Sequence, residues 1–229
     1  MVLAPVDTKP MPHRPALVLP LLSLGLLLGT GCGGGSGAGE AATSDQCQGL
    51  GALTIVRDGN GDVTANVNAP TPPPPPRGLD LVQVRVARSP GKLCAVFDLE
   101  AAPPAPAGFR IDLRETGKAD SGALVGITAM VNGGQRYVQL GYPGADERSD
   151  RGLINADIGV RANQVSLVMD TATLPDWTPP VTDFEWQAST LGFGDRPGLQ
   201  YGDCAPERTQ HVAYPSGRLV QLPNGGGSC

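Results

Sequence analysis

The stretch DGNGD, residues 58–62, sets oxygen donors on alternate residues: the Asp58 carboxylate, the Asn60 amide and the Asp62 carboxylate. Hard oxygen ligands in such a pattern are what Ca²⁺ takes. An EF-hand loop starting at Asp58 would need an acid at position 69, where Ala69 stands. A different site forms if the first and last strands pair and bring Asp80 or Asp203 beside the loop. Asp-Gly and Asn-Gly are equally the chemistry of tight hairpin turns. The turn is the expectation, structural Ca²⁺ is the alternative, and no other cofactor is expected.

Two carboxyls about 5–9 Å apart across a cleft can run glycoside hydrolysis. Asp146, Glu147 and Asp150 lie in ADERSDRG beside Arg148 and Arg151; they read as self-compensating charges in a polar loop. Asp183 and Glu185 share one strand face, which reads as a solvated face. Nucleophilic chemistry has little to draw on, because there is no G-x-S-x-G and, past the leader, His211 is the sole histidine to serve as a base. Among the few aromatic residues, Trp177 sits in LPDWTPP, and Tyr142 and Tyr201 lie near turns. Exposed rings at these places would stack on sugar faces; the plainer reading of Trp177 is a plug over an open end of the fold.

These residues need strands to position them. Phe109, Ile111 and Leu113 alternate with Arg110, Asp112 and Arg114, and the same period of two recurs over 154–160, 164–170 and 183–188. Alternation with one polar face marks a half-buried antiparallel strand. Further strands are expected at 52–57, 62–68, 79–88, 93–101, 123–131 and 135–142, with turns at Asp58–Gly61, Ser89–Lys92 and Asn132–Gly134. No stretch carries a 3.6-residue period. The fold expected is all-β, a single-domain antiparallel β-sandwich of immunoglobulin-like or jelly-roll-like type. Pro72 to Pro76 reads as a stiff extended connection on its surface.

Several marks of this rhythm resemble a known group. The domain opens with IVRDGNGDV, continues with LDLVQVRVARSPGKLCAVFDL, and closes with FEWQASTLGFGDRPGLQYGDCAP. Asp58, Gly61, Asp62, Asp80, Asp203 and Pro206 match the turn and strand-start marks of secreted bacterial sandwiches similar to the family-nine carbohydrate-binding and DOMON-like domains. The opening turn departs from that pattern, with Gly59-Asn60 where proline is usual. The resemblance implies the fold and a binding role. A haem held in the DOMON manner would call on Met130, Met169 and His211, but both methionines read as core.

The cysteines and the leader give the address. From Ala16 to Gly29 the chain has no charge, after His13 and Arg14. That run spans about 21 Å as a helix, short for a bilayer and right for a signal peptide. Met11 is a second candidate start. Gly29-Thr30-Gly31-Cys32 resembles the lipobox of bacterial lipoproteins, with Cys32 as the lipidated residue and Gly29 where leucine is usual. Residues 1–31 are therefore expected as signal peptide and 32–46 as a lipidated cysteine with a Gly/Ser-rich tether. Residues 47–207 would be the sandwich domain, and 208–229 a C-terminal hairpin turning at Pro215-Ser216-Gly217. The other four cysteines suit two disulfides in an oxidising compartment, Cys47–Cys94 and Cys204–Cys229 being favoured among three pairings. A formal net charge of −5 without a basic cluster argues against nucleic acid.

The function expected is a membrane-anchored, extracytoplasmic binding or accessory module of the bacterial envelope. Its partners would be the membrane, through the lipid, and a glycan or an envelope protein. The alternatives are an envelope-polymer hydrolase working through loop carboxylates and a purely structural subunit.

Overall fold

The computed structural model describes residue 47 and residues 49–66, 72–117, 125–141, 148–150, 156–173, 183–194 and 199–222. The expected signal peptide and tether (residues 1–46, with Cys32), Tyr142, Asp146, Glu147, Trp177 and Cys229 lie outside these residues, as do the side chains of 148–150. Among the described residues no helix is long and apolar enough to cross a membrane.

The fold is an antiparallel β-sandwich. Its strands are β1 (Leu53–Arg57), β2 (Thr64–Asn66), β3 (Leu81–Ser89), β4 (Lys92–Leu99), β5 (Ala107–Glu115), β6 (Val125–Asn132) and β7 (Gln135–Gly141). They continue with β8 (Arg148–Asp150), β9 (Ala156–Arg161), β10 (Gln164–Asp170), β11 (Phe184–Phe193), β12 (Gln200–Ala205), β13 (Gln210–Tyr214) and β14 (Arg218–Gln221). The smaller sheet has the order β1-β3-β4-β10-β9. The larger runs β14-β13-β11-β5-β6-β7-β8, with β12 also paired to β11 and carrying β2 on its far side.

Alternation decides which side chains meet between the sheets. Val84, Val86, Phe97, Val165 and Leu167 come from the smaller sheet, and Phe109, Ile111, Leu113, Ile127, Phe184 and Trp186 from the larger, all in one buried cluster. Phe97 and Phe109 touch across the gap with ring centroids 5.7 Å apart. Each such ring removes a large apolar area from water, and truncating one to alanine costs about 3–5 kcal/mol. Polar ties join the layers inside this core as well. The Trp186 indole donates to Thr54 Oγ1 at 3.1 Å. The Tyr214 hydroxyl donates to the Ala52 carbonyl at 2.8 Å and accepts from the Arg88 N–H at 3.2 Å.

A disulfide joins Cys47 to Cys94. With Ala87 and Val96 it forms a small second cluster, against which Leu50 packs. The pair thereby pins the start of the domain to β4. Cys204 is also disulfide-bonded, to a cysteine outside the described residues.

One expected connection is different. DGNGD does not turn a hairpin. β1 pairs with β3 in the smaller sheet, while β2 pairs with β12 in the larger. Residues 58–63 thus cross from one sheet to the other. Thr54 and Val56 point inward at 2% and 8% exposure, which seats β1 against β3, and only the three residues of β2 reach β12. At the other end, β13 and β14 form a hairpin around Pro215-Ser216-Gly217, and β13 continues the larger sheet beside β11.

Candidate functional site

The crossing brings the acids together. Asp58 ends the β1–β3 ladder, its N–H donating to the Val82 carbonyl at 3.0 Å. Thr64 pairs with Gly202, so Asp62 and Asp203 flank one strand contact. One oxygen from each of Asp58, Asp62 and Asp203 fits a group whose members all lie within 4.8 Å of one another. Asp203 is buried; its carboxylate accepts the Leu81 N–H at 2.7 Å and the Cys204 N–H at 2.8 Å. Asp80 is buried too, and its Oδ2 accepts the Gly61 N–H of the loop at 2.6 Å. The residues expected for calcium are therefore neighbours; Asn60 is exposed in the same loop.

Burial comes first there, and like charge adds to it. Burial, with Asp203 and Asp62 close by, pushes the Asp58 carboxyl up to about 7. Burial raises Asp203 to about 6, against the pull of the Leu81 and Cys204 N–H donors. Asp80 is raised as well, first by burial. Two oxygens, Asp58 Oδ2 and Asp80 Oδ1, are buried with no hydrogen-bond partner.

A second feature lies on the outer face of the larger sheet. Residues of β5 and β11 that point away from the core carry Arg110, Asp112, Arg114, Glu185, Gln187 and Ser189, in facing pairs. Glu185 and Asp183 do not form a solvated face. Glu185 is buried and accepts from Arg114 at 2.7 Å, and Asp183 accepts the Thr116 hydroxyl at 2.5 Å. Arg110 lies along the sheet and donates from Nε to both Asp112 oxygens at 3.0 Å. Gly126 makes room for this pair, since a Cβ there would collide with the guanidinium and the carboxylate.

At one end this face opens into a groove of about 580 Å³, lined among others by Thr64, Arg110, Ser189, Leu191, Gln200 and Arg208. Arg208 is exposed and donates to Thr64 Oγ1 at 3.0 Å. Phe193 faces Gln200 in the strand register and is 42% exposed. The groove therefore offers guanidinium, hydroxyl and amide groups around an aliphatic floor, with an aromatic ring near its end. A smaller recess of about 210 Å³, containing Asp62, Asp203 and Arg208, adjoins it.

Tyr201 is not an exposed ring. It is 3% exposed within the core, and its hydroxyl donates to the Pro73 carbonyl at 3.2 Å, tying the proline run to β12. Met169 is in the core, whereas Met130 and His211 lie on the outer face of the larger sheet, separated by β11 and β5. The three cannot share one ligand. Arg110, Gln200, Arg208 and Phe193 were not singled out by sequence reasoning. The one available signal was alternating charge at 110, 112 and 114 on a strand whose other face is apolar.

No protein-family model matches the chain, and no curated protein matches it. A solved structure from Bacteroides uniformis ATCC 8492, described as a "putative carbohydrate-binding protein", is similar at 10% identity over 66% of this chain and 76% of that one, with a TM-score of 0.34.

Proposed function

We propose that this chain is a lipid-anchored, extracytoplasmic binding module of the bacterial envelope that holds a glycan in the groove on its larger sheet. The observation that carries the reading is the groove's lining. Arg110, Ser189, Gln200, Arg208 and Thr64 surround about 580 Å³ with groups that bond hydroxyls and carboxylates, and Leu191 offers apolar surface to sugar C–H faces; exposed Phe193, opposite Gln200 in the register, stands just beyond the lining. The anchor follows from Cys32 at the end of its uncharged leader, where two or more acyl chains make attachment stable. The Cys47–Cys94 disulfide suits the oxidising side of a membrane.

The test has two arms. The mature chain, purified from membranes, is incubated with peptidoglycan sacculi and with a panel of neutral and uronic-acid polysaccharides, beside Arg208→Ala, Gln200→Ala and Phe193→Ala. Binding to at least one probe that falls tenfold or more in these exposed-site variants supports the groove. Binding to none, or binding that all three variants leave unchanged, overturns it. In the second arm Cys32→Ser is expected to move the protein out of the membrane fraction; unchanged fractionation removes the anchor.

A further inference from the structure

We infer that the groove takes a glycan bearing carboxylates, a chain of the uronic-acid class, in preference to a neutral one, with Arg110 and Arg208 as the groups that tell them apart. The inference rests on the groove reading and gives it a ligand class.

What decides it is which charges the groove shows and which it hides. Arg110 and Asp112 are paired at 2.9 Å, but unequally: the Arg110 side chain is 26% exposed and that of Asp112 1%. The carboxylate is the hidden partner, and Gly126 leaves room for both groups. Asp203, a carboxylate in the lining, is 4% exposed, and its two oxygens are taken by the Leu81 and Cys204 N–H groups. Arg208 is exposed and donates to a neutral oxygen, Thr64 Oγ1. The exposed acids nearby, Asp62 and Glu207, line the adjoining recess and not the groove. A ligand entering the groove therefore meets two guanidinium heads whose counter-charges are buried or lie in the next recess.

The strands space these heads. Arg110 on β5 faces Ser189 on β11, β11 pairs with β12, and β12 pairs with β2, whose Thr64 holds Arg208. Three strand spacings separate β5 from β2, about 14 Å. Ser189, Leu191 and Gln200 line the interval and serve the hydroxyls and C–H faces of a sugar. A guanidinium only donates, in a fork that matches the two oxygens of a carboxylate. A hydroxyl answers neither the fork nor the charge. A polymer with acids on successive units can meet both arginines at once. The chain as a whole carries a formal charge of −5, so attraction for an acidic polymer is local to the groove and not general.

The mature chain, purified from membranes, is titrated with polygalacturonate, alginate and hyaluronan, each beside its carboxyl-reduced form, and with dextran sulfate. At least one acidic polymer is expected to bind tenfold or more tightly than its reduced form and than dextran sulfate. That margin should shrink as NaCl rises from about 50 to 500 mM. Arg208→Gln should bring the acidic and reduced forms to nearly equal affinity, whereas Gln200→Ala should weaken both by the same factor. Arg110 is left in place, because its removal would strand the buried Asp112. Equal binding of acidic and reduced forms, weakened alike by Gln200→Ala, keeps the groove and overturns the preference. A preference that Arg208→Gln leaves intact overturns it, as does dextran sulfate binding as tightly as the best uronic-acid polymer. Binding of no acidic form overturns it as well and leaves the groove reading to stand or fall on neutral polysaccharides.

Discussion

Two groups of charged side chains contrast among the described residues of this sandwich, and they are treated in opposite ways. On the outer face of the larger sheet each buried anion meets a cation: Glu185 is paired with Arg114 and Asp112 with Arg110. Where the chain crosses between the sheets, Asp58, Asp62 and Asp203 meet one another and a few backbone N–H groups, and nearby Asp80 meets the Gly61 N–H and the Glu100 side chain, with the Arg77 charge beyond. The first group carries its own counter-charge and is part of the folded structure. The second is an excess of negative charge that the protein tolerates, and an excess of that kind is where an external ion or a proton has most to gain. Equal burial therefore has different meanings, decided by what each carboxylate faces.

The largest effect should come from breaking the compensated group. Glu185→Ala would leave the Arg114 guanidinium, 3% exposed, without its anion. Removing one partner of a buried pair costs about 3–5 kcal/mol, read as a lower urea midpoint at unchanged slope. Replacing both residues together, as Arg114→Met with Glu185→Leu, should recover most of that loss. If the single variant is as stable as the parent, the pair is not the buried unit described here.

His211 tests the same face through pH. Burial, then the nearby Arg114 charge, lowers its imidazole to about 4. The charged group that acts on it is Arg114 on β5, whose partner Glu185 lies on β11, with Asp112 facing Gln187 one pair further along. The unfolded chain takes up the proton near pH 6.5 and the folded chain only near 4. Stability is thus fully present above about 6.5 and is lost as pH falls toward 4, by up to about 3 kcal/mol. Urea midpoints at pH 7, 5.5 and 4.5 should converge between the parent and His211→Gln as pH drops. Parallel curves would mean that His211 binds its proton alike in the folded and unfolded states.

This contrast marks how far the sequence could be read. Strands carry their own period, so β5, β10 and β11 stand out from the alternation of Phe109–Arg114, Gln164–Asp170 and Asp183–Ala188. The core follows, because the apolar partners of each alternation must face one another. Pairing across the chain is another matter. Glu185 looks like surface until Arg114, 71 residues away, lies beside it. Asp203 reaches the Leu81 N–H across 122 residues. Gly and Asn in DGNGD permit a tight turn, but they do not say which strand the next three residues will join. That was settled by Thr54 and Val56 packing inward against β3. The groove escaped notice for the same reason, since its wall is shared by residues from β2, β5, β11 and β12. The acids at 58, 62, 80 and 203 were legible as types and could be grouped only on the condition that the first and last strands pair.

In the uncompensated group the sign should reverse. Asp58→Asn removes one of several mutually repelling charges and supplies an amide donor to Asp203 and Asp62. In EDTA this variant should be more stable than the parent, by roughly 1 kcal/mol after allowance for its partial exposure. A variant less stable than the parent would mean that Asp58 is compensated by a group that the geometry does not show.

The smallest effect is expected two residues from the largest. Asp183 lies just ahead of β11, in step with Glu185, and it too accepts a bond, from the Thr116 hydroxyl at 2.5 Å. It is exposed, so water replaces that bond when it is lost and no cation is stranded by its removal. Asp183→Asn and Thr116→Ala should each shift stability by less than about 0.5 kcal/mol, within the error of a urea titration. A loss comparable to that of Glu185→Ala would show that nearness to the Arg114–Glu185 pair matters more than access to water, and the division drawn between compensated and uncompensated burial would then need a different physical basis.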